Sequence, residues 1–194
     1  MASRVRRPIG EGMIPDPIGG PYDVVLADPP WRYEFSKSKS RRIENQYETM
    51  TQTAICAITI PTTKDAVLYL WATAPKLPEA LEVMRAWGFQ YKTMAVWDKE
   101  IIGMGYWFRG QHELLIVGVK GKFSPPPTSL RVSSIIRARR TNHSSKPPLV
   151  RDLIASWFPG ARRLEMFARD GVHGWDAWGS EIQAGAAAAQ QEKE

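Results

Sequence analysis

An α/β fold, with helices on both faces of one sheet, is predicted by two observations. Short apolar runs recur along the chain, and amphipathic helical stripes lie between them. A length of 194 residues, 43% of them hydrophobic and including eight tryptophans, suits one compact domain with a single core and not a disordered chain.

Residues 1–21 are rich in Gly and Pro and read as an irregular N-terminal extension. The apolar runs at 23–27, 66–71, 93–97, 114–119 and 163–168 read as buried strands. Leu77, Ala80, Leu81, Met84 and Trp87 repeat at helical spacing, and Gly88 stands where that helix should stop. A second stripe joins Leu149, Val150, Leu153, Ile154 and Trp157, with Pro147-Pro148 at its start and Pro159-Gly160 at its end. Trp71, Trp87, Trp97 and Trp157 fall on these patterns and read as core. The domain body spans 22–182 without an internal repeat, and 183–194 reads as a flexible tail.

Residues 114–151 depart from the alternation. They contain no acidic residue but hold Lys120, Lys122, Arg131, Arg137, Arg139, Arg140, Lys146 and Arg151. With Pro125 to Pro127 and several serines, they read as a long mobile basic loop of the kind that usually carries function. The formal net charge of +6 suits an acidic partner. The lone Cys56, among Ile55, Ala57 and Ile58, reads as a buried structural thiol and suits a reducing cytoplasm. No apolar run approaches the roughly 20 residues that span a membrane. Arg4, Arg6 and Arg7 are followed by Pro8, Gly10, Glu11 and Gly12 where a secretory signal would need an apolar stretch. His112, His143 and His173 lack partners at ligand spacing, so no metal site is expected.

Chemistry concentrates in Asp28-Pro29-Pro30-Trp31, directly after the apolar run that ends at Ala27. Ligands of parallel sheets collect outside the carboxyl ends of strands, and Asp28 is the first residue past such an end. Two prolines stiffen the turn and remove two amide donors, leaving its carbonyls free to accept. Such a turn can serve as a plain strand exit, with Trp31 packed in the core. It also meets the demands of methylating an exocyclic amine, whose lone pair is delocalised into the ring. A carboxylate and a carbonyl accepting the two amine hydrogens would free that lone pair, and a positioned donor would supply much of the rest. Trp31 could then stack on a base taken out of the helix.

The turn resembles the signature of the MTA-seventy family of adenine-N6 methyltransferases. The resemblance continues in order along 22–182. Asn45-Gln46-Tyr47-Glu48-Thr49-Met50 is similar to the family's Tyr-x-x-Met element, and Leu68-Tyr69-Leu70-Trp71 to its next core strand. Gly110-Gln111-His112-Glu113 with Val117-Gly118-Val119-Lys120-Gly121 resembles a further strand, and His143-Ser144-Ser145-Lys146-Pro147 its Ser-x-Lys-Pro element. Glu165-Met166-Phe167-Ala168-Arg169, Gly174-Trp175 and Trp178-Gly179-Ser180-Glu181 resemble its closing cofactor element.

The resemblance implies a Rossmann-like methyltransferase sheet with permuted motif order and S-adenosylmethionine as methyl donor. It implies that Asp28, Pro29, Pro30 and Trp31 form the catalytic turn. Asp28, Lys146, Phe167, Arg169, Ser180 and Glu181 would bind the cofactor, although the family often carries Asn where this chain has Ser180. Trp31, Tyr47, Glu113, Arg137, Arg139 and Arg140 are the expected substrate contacts. Apart from the resemblance, Lys146 is also compatible with a solvated lysine at a helix start, Glu113 with a surface residue and Tyr47 with the core. Arg32, Lys37, Lys39, Arg41 and Arg42 follow the turn and are expected to touch phosphates. The reading is methyl transfer to the N6 amine of adenine in DNA. RNA is the alternative substrate, and a catalytically silent nucleic-acid-binding subunit of a larger methyltransferase is the other class. No Gly-x-Gly-x-x-Gly occurs, so nothing points to NAD. Without a separate recognition domain, a short target site is expected, or help from a partner protein or a second copy.

Overall fold

The computed structural model describes residues 20–33, 49–140 and 145–179. Among them, seven strands form one sheet: β1 (Tyr22–Ala27), β2 (Thr62–Ala72), β3 (Gln90–Asp98), β4 (His112–Lys120), β5 (Ile135–Arg137), β6 (Arg163–Met166) and β7 (Asp176–Trp178). Three α-helices accompany them: α1 (Gln52–Cys56), α2 (Leu77–Ala86) and α3 (Pro148–Trp157).

The strand order is β5-β3-β4-β2-β1-β6-β7. β1 runs parallel to β2 on one side and to β6 on the other, and β4 runs antiparallel to both β2 and β3. The antiparallel pair follows from the connection: residues 99–111 join β3 to β4 without a crossover helix. The chain leaves β1 towards β2 but later returns to β1's other flank as β6. A switch of this kind opens a crevice at the strand ends, the usual ligand position in such sheets.

Both faces of the sheet are covered. Val25, Ala27, Leu68 and Leu70 face Ile55 of α1 and Ala80, Val83 and Met84 of α2. Val24, Leu26, Val67 and Tyr69 face Val150 and Ile154 of α3. Side chains alternate in a strand, so residues 24–27 of β1 and 66–72 of β2 must be apolar at every position to serve two cores, and this is why they read as unbroken runs. Trp71, Trp87 and Trp97 are buried, whereas Trp157 lies partly buried against the second core and donates its indole N–H to the Leu130 carbonyl at 2.8 Å. Cys56 is half-buried at the end of α1, and burial pushes its thiol pKa up.

Some expectations change. Residues 121–140 are organised, not the start of an open loop. Ile135–Arg137 forms β5, which covers the outer edge of β3, and a 3-10 turn at Thr128–Leu130 precedes it. An uncovered strand edge presents unpaired amides and carbonyls, and β5 pairs with residues 96–98 at the end of that edge. In the α3 stripe Val150 and Ile154 are buried, but Leu149 at the first turn is exposed. The expected N-terminal extension and C-terminal tail fall almost wholly outside the described residues. No described helix is long and apolar enough to cross a membrane.

Candidate active site

The carboxyl ends of β1 and β6 lie side by side, with Ala27 paired to Met166. Asp28 and Phe167, the next residue on each strand, therefore begin the walls of one crevice, and the Asp28 amide leans towards the Met166 carbonyl at 3.4 Å. Phe167 adopts φ 61°, a left-handed backbone that costs a side-chain-bearing residue roughly 1–3 kcal/mol and clusters at functional sites. Its ring meets Trp178 edge to face at 5.2 Å. Arg169 is exposed two residues further on.

The turn after β1 is pinned to the end of β2. The Trp31 indole N–H donates to the Trp71 carbonyl at 3.1 Å, and Tyr33 shares a hydrogen bond with Thr73 at 2.7 Å. The Trp31 and Met50 amides donate to the Pro29 and Pro30 carbonyls at 2.8 and 2.9 Å. The prolines alone predicted free turn carbonyls, but the Pro29 and Pro30 oxygens each already accept one bond and keep only a second lone pair. Trp31 is only 6% exposed and packs in the core with Met50. Its ring offers no open face to a base, and its place is that of an anchor for the turn.

Lys146 reaches into the crevice from the residue before Pro147-Pro148, whose fixed torsions start α3. Its ammonium donates to both Asp28 carboxylate oxygens at 2.7 Å. It also pairs with Glu113 at 3.4 Å, and Glu113 in turn pairs with Lys99 at 3.3 Å. Because β4 is antiparallel to β2, its start, not its end, reaches this edge, bringing Glu113 beside Asp28 and Lys146. Burial pushes the Asp28 carboxyl up from its ordinary value against the opposing pull of Lys146, with Glu113 adding to the push. Burial works against the Lys146 charge, but the two carboxylates outweigh it and hold the ammonium above its usual range. Asp28 and Lys146 are joined as a salt bridge, the ammonium spanning both carboxylate oxygens.

The structure therefore brings together Asp28, Pro29, Lys146, Phe167 and Glu113. Arg137 and Arg139 are exposed on and after β5, and Arg140 follows half-buried, its amide donating to the Lys99 carbonyl at 3.2 Å. Arg32 is exposed after the turn. Tyr47, Ser180 and Glu181 lie outside the described residues, as do Lys37, Lys39, Arg41 and Arg42. Lys99 is an addition to the sequence-derived set. Only the antiparallel register, which pairs Asp98 with His112, sets it beside Glu113, and no sequence pattern carries that pairing. No group of three or more metal-ligating side chains occurs among the described residues.

A mostly parallel sheet with one reversed strand, and an acidic proline turn at its switch point, fit a Rossmann-like methyltransferase domain. The MT-A70 family model matches residues 22–181. The chain belongs to the MT-A70 (MTA-seventy) family, the adenine-N6 methyltransferases. It is 34% identical to the type II methyltransferase M.MunI of a Mycoplasma species over 182 residues, covering 83% of this chain and 78% of that protein. It is 30% identical to the N(6)-adenosine-methyltransferase catalytic subunit METTL3 of Homo sapiens, covering 78% of this chain and 26% of that protein. An N(6)-adenosine-methyltransferase MT-A70-like protein of Arabidopsis thaliana is 28% identical over 85% of this chain and 24% of its own length. The chain thus spans about a quarter of these two eukaryotic relatives. Methyltransferases of this family use S-adenosylmethionine as methyl donor.

Replacing Trp31 by Phe keeps an aromatic ring but removes the bond to the Trp71 carbonyl. An unsatisfied buried acceptor costs about 1–3 kcal/mol, so the urea midpoint of Trp31→Phe should fall accordingly. An unchanged midpoint would mean that the indole N–H does not anchor the turn.

Proposed function

We propose that this chain transfers a methyl group from S-adenosylmethionine to the N6 amine of adenine in DNA, with Asp28 and the Pro29 carbonyl receiving the amine. The observation that carries the reading is the Asp28–Lys146 ion pair at the end of β1, immediately beside the end of β6.

The side chains around the crevice fit the donor's chemistry. Its amino-acid head carries an ammonium, suited to Asp28, and a carboxylate, suited to Arg169 with Lys146 nearby. Phe167 is placed to pack against the adenosine end, and Ser180 and Glu181 would take the ribose hydroxyls. When bound, the donor supplies an electrophilic methyl group on a sulfonium.

The chain's own residues do the rest. The Asp28 carboxylate, oriented by Lys146, accepts one N6 hydrogen, and the second lone pair of the Pro29 oxygen accepts the other. Both bonds draw the nitrogen towards a tetrahedral geometry and return its lone pair from the ring. As the nitrogen takes the methyl, its second carbon substituent, the carbon–sulfur pair leaves with the donor's sulfur as a thioether. The cationic nitrogen must then lose one proton, and Asp28 is the acceptor placed to take it. Direct transfer needs no nucleophilic Cys or Ser. Glu113, held by Lys99 and Lys146, borders the space for the target base.

The adenine must leave the helix to reach this crevice, at a cost of a few kcal/mol. Arg137, Arg139 and Arg140, from β5 onwards at the same sheet edge, supply phosphate contacts. DNA is favoured because the relative matched along most of both chains is a type II methyltransferase, whereas METTL3 is matched over 26% of its length.

The deciding experiment is methyl incorporation into duplex DNA, single-stranded DNA and single-stranded RNA in parallel, with modified bases identified by mass spectrometry. N6-methyladenine in DNA is expected; methylation of RNA alone would reassign the substrate, and none in any arm would point to a silent subunit. Asp28→Ala should lower turnover by about 10²–10⁴-fold. It should leave the fold in place, since Lys146 keeps Glu113; near-normal turnover would refute the mechanism.

Asp28 must be ionised to accept, and its carboxyl lies above the ordinary range, so activity should fall as pH drops through that raised value. Lys146→Met removes the strongest influence that holds it down. The acid limb of kcat/KM should then move upward by about 1–3 pH units. An unmoved or lowered limb would show that Asp28 does not set it. Replacing Arg137, Arg139 and Arg140 together with Ala should lower the slope of log affinity against log salt by about 2–3, and an unchanged slope would remove them from the phosphate contacts.

A further inference from the structure

The connection between β3 and β4 carries the largest exposed apolar feature among the described residues. Tyr106, Trp107 and Phe108 are 89%, 95% and 90% exposed, and Met104 and Ile102 stand beside them. Monomeric proteins rarely leave contiguous large rings in water unless the rings bind something.

The segment holding them is built, not slack. At its neck the Lys99 amide donates to the Gln111 carbonyl at 2.9 Å, and Asp98 accepts from the Glu100 amide and the Gln111 side chain. Higher up, the Gly103 amide donates to the Gly110 carbonyl at 2.9 Å and the Gly110 amide to the Met104 carbonyl at 3.0 Å. A Cβ on Gly105 would stand 1.9 Å from the Phe108 carbonyl oxygen, so the tip closes backbone on backbone. The three rings are displayed by a hydrogen-bonded hairpin, which spares part of the ordering cost of binding.

Its place in the fold says what it meets. The neck residue Lys99 is linked to Asp28 by three successive ion pairs, through Glu113 and Lys146. On its β5 side the neck carries the basic run: the Ala138 and Arg140 amides donate to the Asp98 and Lys99 carbonyls, and Arg137 and Arg139 project into solvent. Residues 101–112 contain no acidic side chain but include Arg109. Aromatic faces flanked by cations beside an adenine site suit nucleobases between phosphates. Three rings bury together about 450–750 Å², short of the roughly 800 Å² per partner of a stable protein interface.

We propose that the Tyr106-Trp107-Phe108 tip stacks on nucleobases of the DNA beside the target, with Trp107 filling the gap left when adenine swings out. The assignment rests on the DNA-adenine reading above. Rings wedged between base steps hold a duplex open in other nucleic-acid complexes.

The test uses the full chain and a duplex bearing the site that the wild type methylates, with 2-aminopurine replacing the target adenine. Wild type should raise the probe's fluorescence on binding. Trp107→Ala should bind about 5–100-fold more weakly and lose that rise. Its kcat/KM should fall further on duplex than on the same site in single-stranded DNA, where no gap needs filling, and Trp107→Phe should restore most of both. The proposal is overturned if Trp107→Ala and the triple alanine variant bind and methylate duplex like wild type. Equal loss on duplex and single strand also overturns it. So does a wild-type dimer that the triple variant turns into a monomer, since the tip would then join copies of the chain. Absence of DNA methylation by the wild type itself would remove both this assignment and the reading beneath it.

Discussion

One ammonium organises the working edge of this molecule. Lys146 is shared between Asp28, from the end of β1, and Glu113, from the start of β4, and it enters ahead of α3. A cation this enclosed keeps its charge only with close partners, and two carboxylates this near would repel one another without it. The same contact therefore stabilises the lysine's charge, orients the aspartate and fixes the distance between three segments remote in sequence. The turn's other supports, Trp31 to Trp71 and Tyr33 to Thr73, keep the backbone still while the charges set the side chain.

Reversal of a single strand sets the site's composition. Had β4 run with its neighbours, the edge would carry Lys120 and Gly121 where it carries His112 and Glu113. Reversal delivers an acid to one side of Lys146 and, through the β3 register, Lys99 to the far side of that acid. Charges alternate along the edge as Asp28, Lys146, Glu113, Lys99, so each is flanked by its opposite. Covering the open side of β3 with β5 brings the arginine run to the same edge.

Much of the sheet was legible in the sequence because strands serving two cores cannot hide their apolarity. β1, β2, β4 and β6 stand out as runs, and α2 and α3 as stripes between prolines and glycines. β5 and β7 are three residues each, too short for any periodicity, and exist because a neighbouring edge needs partners. α1, at five residues, is held by the Thr51 cap and by Ile55 in the core. At the site, Asp28 was readable from its place between an apolar run and two prolines, whereas Lys146 was marked by the family resemblance alone, since a lysine at a helix start also suits solvent. The orientation of Trp31 was not, because an aromatic ring after a turn can face either way until the Trp71 carbonyl claims its N–H. Nor could the sequence separate the basic segment's ordered part from a loop, since β5's pairing partner lies about forty residues upstream in β3.

The crevice also dictates when it can exist. The start of β1 is tied to the residue before β6 by the Asp23 carboxylate accepting from the Arg162 amide, 139 residues away, and Asp28 meets Lys146 across 118. During synthesis the first strand must therefore wait for nearly all of the domain to leave the ribosome before its second flank is filled. Long-range closure of this kind folds slowly and exposes apolar edges meanwhile. Until β6 arrives, the turn at Asp28 has no opposite wall, so a newly made chain holds the crevice only half built.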